Sequence, residues 1–150
     1  KAVTSMKTLN KKAAELMINF TVNACTDITG FGLLGHACEM IEGSDVGIEI
    51  YASEVPFFTE ALEYAKMGLI PGGTYRNEDF RSGMVDIEPG LDPDLVKIFS
   101  DPQTSGGLLI SMPEAEAESL LSDLHSNGIV EAAIIGRITN GHPGNIFVGK

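Results

Sequence analysis

A chain of 150 residues has room for one domain with a sizeable core. Its 43% hydrophobic and 21% charged content is that of a folded globular protein and excludes wholesale disorder. Ten basic against 21 acidic residues give a net charge of −11, which argues against non-specific nucleic-acid binding, and no apolar run is long enough to span a bilayer.

The first apolar periodicity covers residues 8–24. Leu9, Ala13, Leu16, Met17, Phe20 and Ala24 recur at three- and four-residue steps and predict a helix. Thr26 to Gly30 breaks the pattern, and a second helix is expected over 31–41, stopped by Gly43. Residues 46–51 alternate around β-branched side chains and predict a strand. Pro56 opens a helix with Phe58, Ala61, Leu62 and Ala65 on one face and Gly68 as its C-cap. Residues 68–83 read as a long glycine-rich polar loop, a length that in a compact domain signals function or motion. A short strand follows at 84–87. Asp92-Pro93 supplies an N-cap and a first helical position for a helix to Phe99, and 108–112 predicts another strand. Pro113 starts a helix whose positive end suits Glu114 and Glu116. Ala117, Leu120, Leu121 and Leu124 form its buried stripe, and Gly128 ends it. Residues 132–138 and 146–148 are the last expected strands, joined by a turn through Asn140-Gly141-His142-Pro143-Gly144. Helices and strands interleave irregularly, so the expected fold is an α/β or α+β sandwich with helices packed on a mixed sheet.

Two cysteines, Cys25 and Cys38, are too few for a secreted disulfide framework. They read as small buried apolar residues in a reducing compartment. With His36 they lack any recognised zinc spacing. No basic-then-apolar leader opens the chain, so the cytoplasm is the expected location. His125 and His142 read as a helix-end and a turn residue without an assigned role.

Two segments carry chemistry. Residues 26–36 read Thr-Asp-Ile-Thr-Gly-Phe-Gly-Leu-Leu-Gly-His, and 101–109 read Asp-Pro-Gln-Thr-Ser-Gly-Gly-Leu-Leu. In the first, Gly30 and Gly32 permit positive φ and close approach of a ligand to the backbone, and Thr29 can cap the following helix. Free N–H groups at a helix start attract an anion. Asp27 beside such a site would repel phosphate unless a Mg²⁺ lay between them. The plainer alternative is that Asp27 and Thr29 are helix caps and the glycines allow packing. In the second segment, Thr104, Ser105, Gly106 and Gly107 are either an anion cradle or a strand-entry turn. Arg76-Asn77 is a third candidate: the arginine either binds phosphate or pairs with a surface carboxylate. Neither loop matches a Walker A or dinucleotide fingerprint.

Together, Ala24-Cys25-Thr26-Asp27-Ile28-Thr29-Gly30-Phe31-Gly32-Leu33-Leu34-Gly35-His36 and Asp101-Pro102-Gln103-Thr104-Ser105-Gly106-Gly107-Leu108-Leu109 resemble the two signature segments in the C-terminal half of the selenophosphate synthetase family, of the aminoimidazole ribonucleotide synthetase superfamily. Pro71-Gly72-Gly73, Thr74-Tyr75-Arg76-Asn77 and Ile134-Ile135-Gly136-Arg137-Ile138 support the match, which covers essentially the whole chain. The resemblance implies a three-layer α/β/α domain, partly ferredoxin-like. It implies a preceding N-terminal domain that forms the dimer and carries the ATP lysine, a reactive cysteine or selenocysteine and most Mg²⁺-binding aspartates. The chain opens Lys-Ala-Val-Thr without an initiator methionine, as expected of a fragment. The implied reaction converts ATP, selenide and water to selenophosphate, AMP and phosphate. Asp27 becomes the implied Mg²⁺ ligand. Thr29, Gly30 and Gly32 would shape its loop, and Thr104, Ser105, Gly106 and Gly107 would line or support the cleft. Rival expectations are another enzyme of the superfamily (a thiamine-phosphate kinase, a hydrogenase maturation protein or a purine-pathway synthetase) and a non-catalytic binding module.

Overall fold

The computed structural model describes residues 1–150. The chain order is α1 (Ala2–Lys7), α2 (Lys11–Met17), β1 (Ala24–Asp27), α3 (Gly32–Ile41), β2 (Gly47–Tyr51), α4 (Thr59–Lys66), α5 (Gly72–Arg81), β3 (Val85–Ile87), α6 (Pro93–Phe99), β4 (Leu108–Ser111), α7 (Glu114–Ser126), β5 (Gly136–Thr139) and β6 (Ile146–Gly149). No helix is long and apolar enough to cross a membrane.

Helix α3 organises the interior. Leu34, Ala37, Cys38 and Ile41 follow one another at helical spacing, and all are buried. They pack with Ile48 and Ile50 of β2, Ile146 and Val148 of β6, and Phe99 at the end of α6. The alternation in β2 and β6 puts these aliphatic side chains on one sheet face. Glu49, on the other, pairs across the sheet with Arg137 at 2.7 Å. The four-stranded sheet runs β3-β6-β2-β5, with β6 parallel to β2 and β3 and with β5 antiparallel to β2. A mixed sheet under helices is the expected architecture. Strands β1 and β4, however, form a separate antiparallel ribbon. Helix α3 packs on β2 and β6 of the sheet and on β1 of the ribbon.

Three expectations are corrected. The helix over 8–24 is not continuous. It ends at Met17, where the Asn19 amide donates to the Glu15 and Leu16 carbonyls, competing with any further turn, and residues 24–27 are a strand. The presumed loop 68–83 contains a ten-residue helix, α5. Gly72 and Gly73 hide it from propensity reasoning, and tertiary bonds from Thr74 and Asn77 hold it instead. The strand expected at 132–138 begins only at Gly136, where a Cβ would lie 2.1 Å from the Glu49 carbonyl oxygen. Other signals hold: Asp92 accepts from the Asp94 N–H as an N-cap, and Gly43, Gly68 and Gly128 take positive φ after their helices.

Burial pushes the Cys38 thiol up to about 11; Arg81 opposes the rise, and Glu42 and Glu39 add to it. The folded chain therefore keeps a proton that the unfolded chain loses above its ordinary value near 9. This contribution to stability is complete below about 9 and declines as pH rises toward about 11. The urea midpoint of the wild type should fall more steeply across that window than that of Cys38→Ala.

Candidate active site

The two glycine-rich segments, far apart in sequence, are one structure. Strand β1 pairs with β4 in the register Ala24↔Ser111, Cys25↔Ile110, Thr26↔Leu109 and Asp27↔Leu108. The pairing continues past the strands. The Ile28 N–H donates to the Gly107 carbonyl at 2.9 Å, the Gly106 N–H to the Ile28 carbonyl at 3.0 Å, and the Gln103 N–H to the Thr29 carbonyl at 2.9 Å. Gly106 is required by this closure: a Cβ there would stand 2.3 Å from the Ile28 oxygen. Gly32, at φ +69°, has its missing Cβ 2.7 Å from the Ser100 backbone, so the start of α3 also lies directly on the second segment.

Side chains brace the joined loops from behind. The Asn77 amide donates to both the Gly30 and Ser100 carbonyls, each at 2.9 Å. The buried Thr74 hydroxyl donates to Asp101 at 3.0 Å, and Asn10 donates to the Gly106 carbonyl at 2.9 Å. The Gln103 amide closes the turn onto Asp101. Asp101 is thus a structural carboxylate.

Asp27 is different. It is exposed at the end of β1, and its carboxylate makes no hydrogen bond or ion pair within the chain. Cys25 lies two residues earlier on the same strand face and is exposed, not buried as expected. Partial burial, and then the Asp27 charge, push its thiol above the ordinary value. In the two joined loops the N–H groups of Thr29, Gly30, Phe31, Thr104, Ser105 and Gly107 find no acceptor in the chain. Ser105 adopts φ +51°, the only residue other than glycine at positive φ. No group of three or more His, Cys, Asp or Glu side chains is arranged to hold a metal ion. Any cation at Asp27 must therefore draw on ligands beyond the His, Cys, Asp and Glu side chains of this chain.

Several site expectations need correction. Thr29 does not cap α3; Phe31 is the N-cap, without a side-chain bond, and the Thr29 hydroxyl lies 2.9 Å from His36 Nε2 instead. A Cβ on Gly30 would meet nothing within 4 Å and its φ is not positive, so only Gly32 is conformationally obligatory in that loop. Arg76 makes no ion pair with a surface carboxylate; its guanidinium folds back over Gly72 and Gly73. Asn77 spends both amide donors on carbonyls, leaving none for an anion. His36, the last residue of the first signature segment and a member of the rejected zinc set, is the buried histidine beneath the loop.

A mixed α/β domain that joins two glycine-rich loops around one free aspartate is the class defined by this fold and site. Residues 2–149 match the model of the AIR synthase related protein, C-terminal domain, and the chain belongs to that family. It is 49% identical over 138 residues to a selenide, water dikinase of Pelobacter propionicus, covering 92% of this chain and 40% of that one. It is 49% identical over 147 residues to the selenide, water dikinase of Caldanaerobacter subterraneus, covering 98% and 42% respectively. The chain thus spans about 40% of the length of the curated relatives it matches. Among solved structures, Escherichia coli HypE superposes with a TM-score of 0.68 at 18% identity, over 97% of this chain and 37% of that one. Thiamine monophosphate kinase from Aquifex aeolicus gives 0.50 at 20% identity, over 94% and 36%. These likenesses confirm the fold.

The closure makes a paired prediction. Gly106→Ala should destabilise the chain by about 1–3 kcal/mol, because the new methyl meets a fixed carbonyl. Gly107→Ala, with nothing within 4 Å of its Cβ position, should stay within about 0.5 kcal/mol of wild type. Urea denaturation of both variants measures the difference.

Proposed function

We propose that this chain is the C-terminal domain of an ATP-dependent selenophosphate synthetase, which converts ATP, selenide and water to selenophosphate, AMP and phosphate. The observation that carries the reading is an unpartnered Asp27 at the mouth of the two joined loops. Its support is the near-half identity, along almost the whole chain, to proteins named selenide, water dikinase. An exposed carboxylate with no internal partner suits Mg²⁺, which is typically held by one or two protein carboxylates plus water and phosphate oxygens. Bound there, Mg²⁺ would offset charge on the phosphoryl oxygens.

The chain's own residues divide the work. Asp27 supplies the carboxylate. The free N–H groups of Thr29, Gly30 and Phe31, and of Thr104, Ser105 and Gly107, offer neutral donors to phosphate oxygens without adding a cation. Arg76, exposed and without an ion pair, rests against Gly73, which packs on Pro102 of the second loop, and is a further cation for the same anion. Gly106 and Gly32 keep the two loops at one spacing. The ATP lysine, the reactive cysteine or selenocysteine and the remaining metal ligands belong, on this reading, to a preceding domain that also forms a cytoplasmic homodimer. A net charge of −11 is compatible with an anionic substrate once metal ions and that domain supply the positive charge.

Two outcomes test the reading. In the longer protein, Asp27→Asn should lower selenide-dependent AMP formation by roughly 100-fold or more while leaving the circular dichroism unchanged. Undiminished activity would remove Asp27 from the metal site. The 150-residue chain by itself should form no AMP from ATP and selenide, and measurable turnover would show that the active site is complete within it.

A further inference from the structure

His36 is the only buried side chain of the chain that can carry a positive charge; the other buried polar residues are Thr74 and Ser100. An imidazole in that position is costly unless both ring nitrogens are satisfied, and both are. Nδ1 lies 2.8 Å from a Glu39 carboxylate oxygen, and Nε2 lies 2.9 Å from the Thr29 hydroxyl. Glu39 is itself held by Arg81, whose Nη2 is 3.8 Å from its other oxygen. Arg81 also pairs with Glu42, at 3.4 Å, and lies under the Phe80 ring at 4.8 Å. Phe31 packs on the imidazole with ring centres 5.6 Å apart. A chain of polar contacts therefore runs from α5 through α3 to the loop that bears Asp27.

The direction of these bonds follows from donor and acceptor chemistry. An ionised carboxylate only accepts, so Nδ1 must carry the proton that faces Glu39. In the neutral ring Nε2 is then an acceptor, and the Thr29 hydroxyl must donate to it. The hydroxyl proton is spent inward, and only the lone pairs of Thr29 Oγ1 remain open. An oxygen of that polarity, two residues along the chain from a free carboxylate, suits a cation or its bound water better than a phosphate oxygen.

We propose that His36 is a positioning residue that, oriented by Glu39, fixes Thr29 as a hydrogen-bond acceptor on the divalent-cation side of the Asp27 site. This rests on the reading of Asp27 as a metal ligand. It changes the part played by Thr29 from shaping an anion loop to completing an oxygen environment for the cation. His36 touches neither metal nor substrate and acts only through Thr29.

The bond directions are testable without metal. Long-range ¹⁵N–¹H correlation spectra of the metal-free chain should show His36 as the Nδ1–H tautomer, with Nε2 unprotonated. A proton on Nε2 would overturn the proposal whatever Asp27 does. The second arm uses Mn²⁺ with a non-hydrolysable ATP analogue as the probe on the longer protein, with broadening of backbone amides read around residue 27. His36→Asn retains a donor for Glu39 and loses the Thr29 partner, so it should weaken Mn²⁺ binding roughly tenfold or more. His36→Gln places an amide oxygen near the Nε2 position and should recover most of the affinity, as should Thr29→Ser, whereas Thr29→Val should behave like His36→Asn. Unchanged amide shifts in α3 and the sheet establish that each variant is folded. Equal Mn²⁺ binding by folded wild type, His36→Asn and Thr29→Val would overturn the positioning role while leaving Asp27 as the ligand. No broadening at residue 27 in the wild type would overturn both.

Discussion

The structure depends on the antiparallel closure between β1 and β4. Four residue pairs set the register, and three further backbone bonds at Ile28, Thr29 and their partners carry it into the loops. Everything at the site follows from that closure. It ends one strand at Asp27 with the carboxylate outside and unpartnered. It turns the Gly106 face onto the Ile28 carbonyl, a contact only glycine permits. It also leaves unpaired N–H groups in both loops. A ribbon of two strands is marginal by itself, so α3 and the braces from Asn10, Thr74 and Asn77 are what make it a fixed platform.

Helix α3 connects stability to function because its two faces have different duties. Leu34, Ala37, Cys38 and Ile41 are committed to the sheet core. His36 and Gly35 lie on the side toward the loop and Phe31, where a Cβ on Gly35 would sit 2.5 Å from that of Phe31. The helix begins on the second loop through Gly32 and ends in the core. Close-packed interiors transmit strain, so α3 couples the packing of the core to the site. The site itself contains little positive charge. Its donors are backbone amides, and its one nearby cation, Arg76, is unpaired and exposed. That arrangement suits a phosphate centre whose charge is balanced by metal.

Much of this was legible in the residues. The α3 stripe, the Asp92-Pro93 cap, the strands around Ile48 and Ile146 and the glycine helix ends are local signals, and local physics determined them. The two loops were recognisable as a pair and Asp27 as their distinctive residue. What was not legible depended on distant partners. Helix α5 contains two glycines and a polar run, and its order comes from Asp101, Ser100 and Gly30 across the fold. The 8–24 periodicity matched a helix because Phe20 and Ala24 kept the spacing, while the Asn19 side chain ended the helix before them. The His36–Thr29 contact left one usable trace: a histidine seven residues after a threonine, placed one turn into a helix that begins at the glycine loop. Without the fold, nothing distinguished that histidine from one facing solvent.

The central claim is that the two loops form one phosphate–metal site with Asp27 as the ligand from this chain. Anomalous diffraction from Mn²⁺ in crystals of the longer protein with a non-hydrolysable ATP analogue tests it most directly. A manganese peak is expected at roughly 2.1–2.2 Å from an Asp27 carboxylate oxygen, with phosphate oxygens facing the free N–H groups of residues 29–31, 104, 105 and 107. A fully ligated metal elsewhere, with Asp27 turned to solvent, would contradict it.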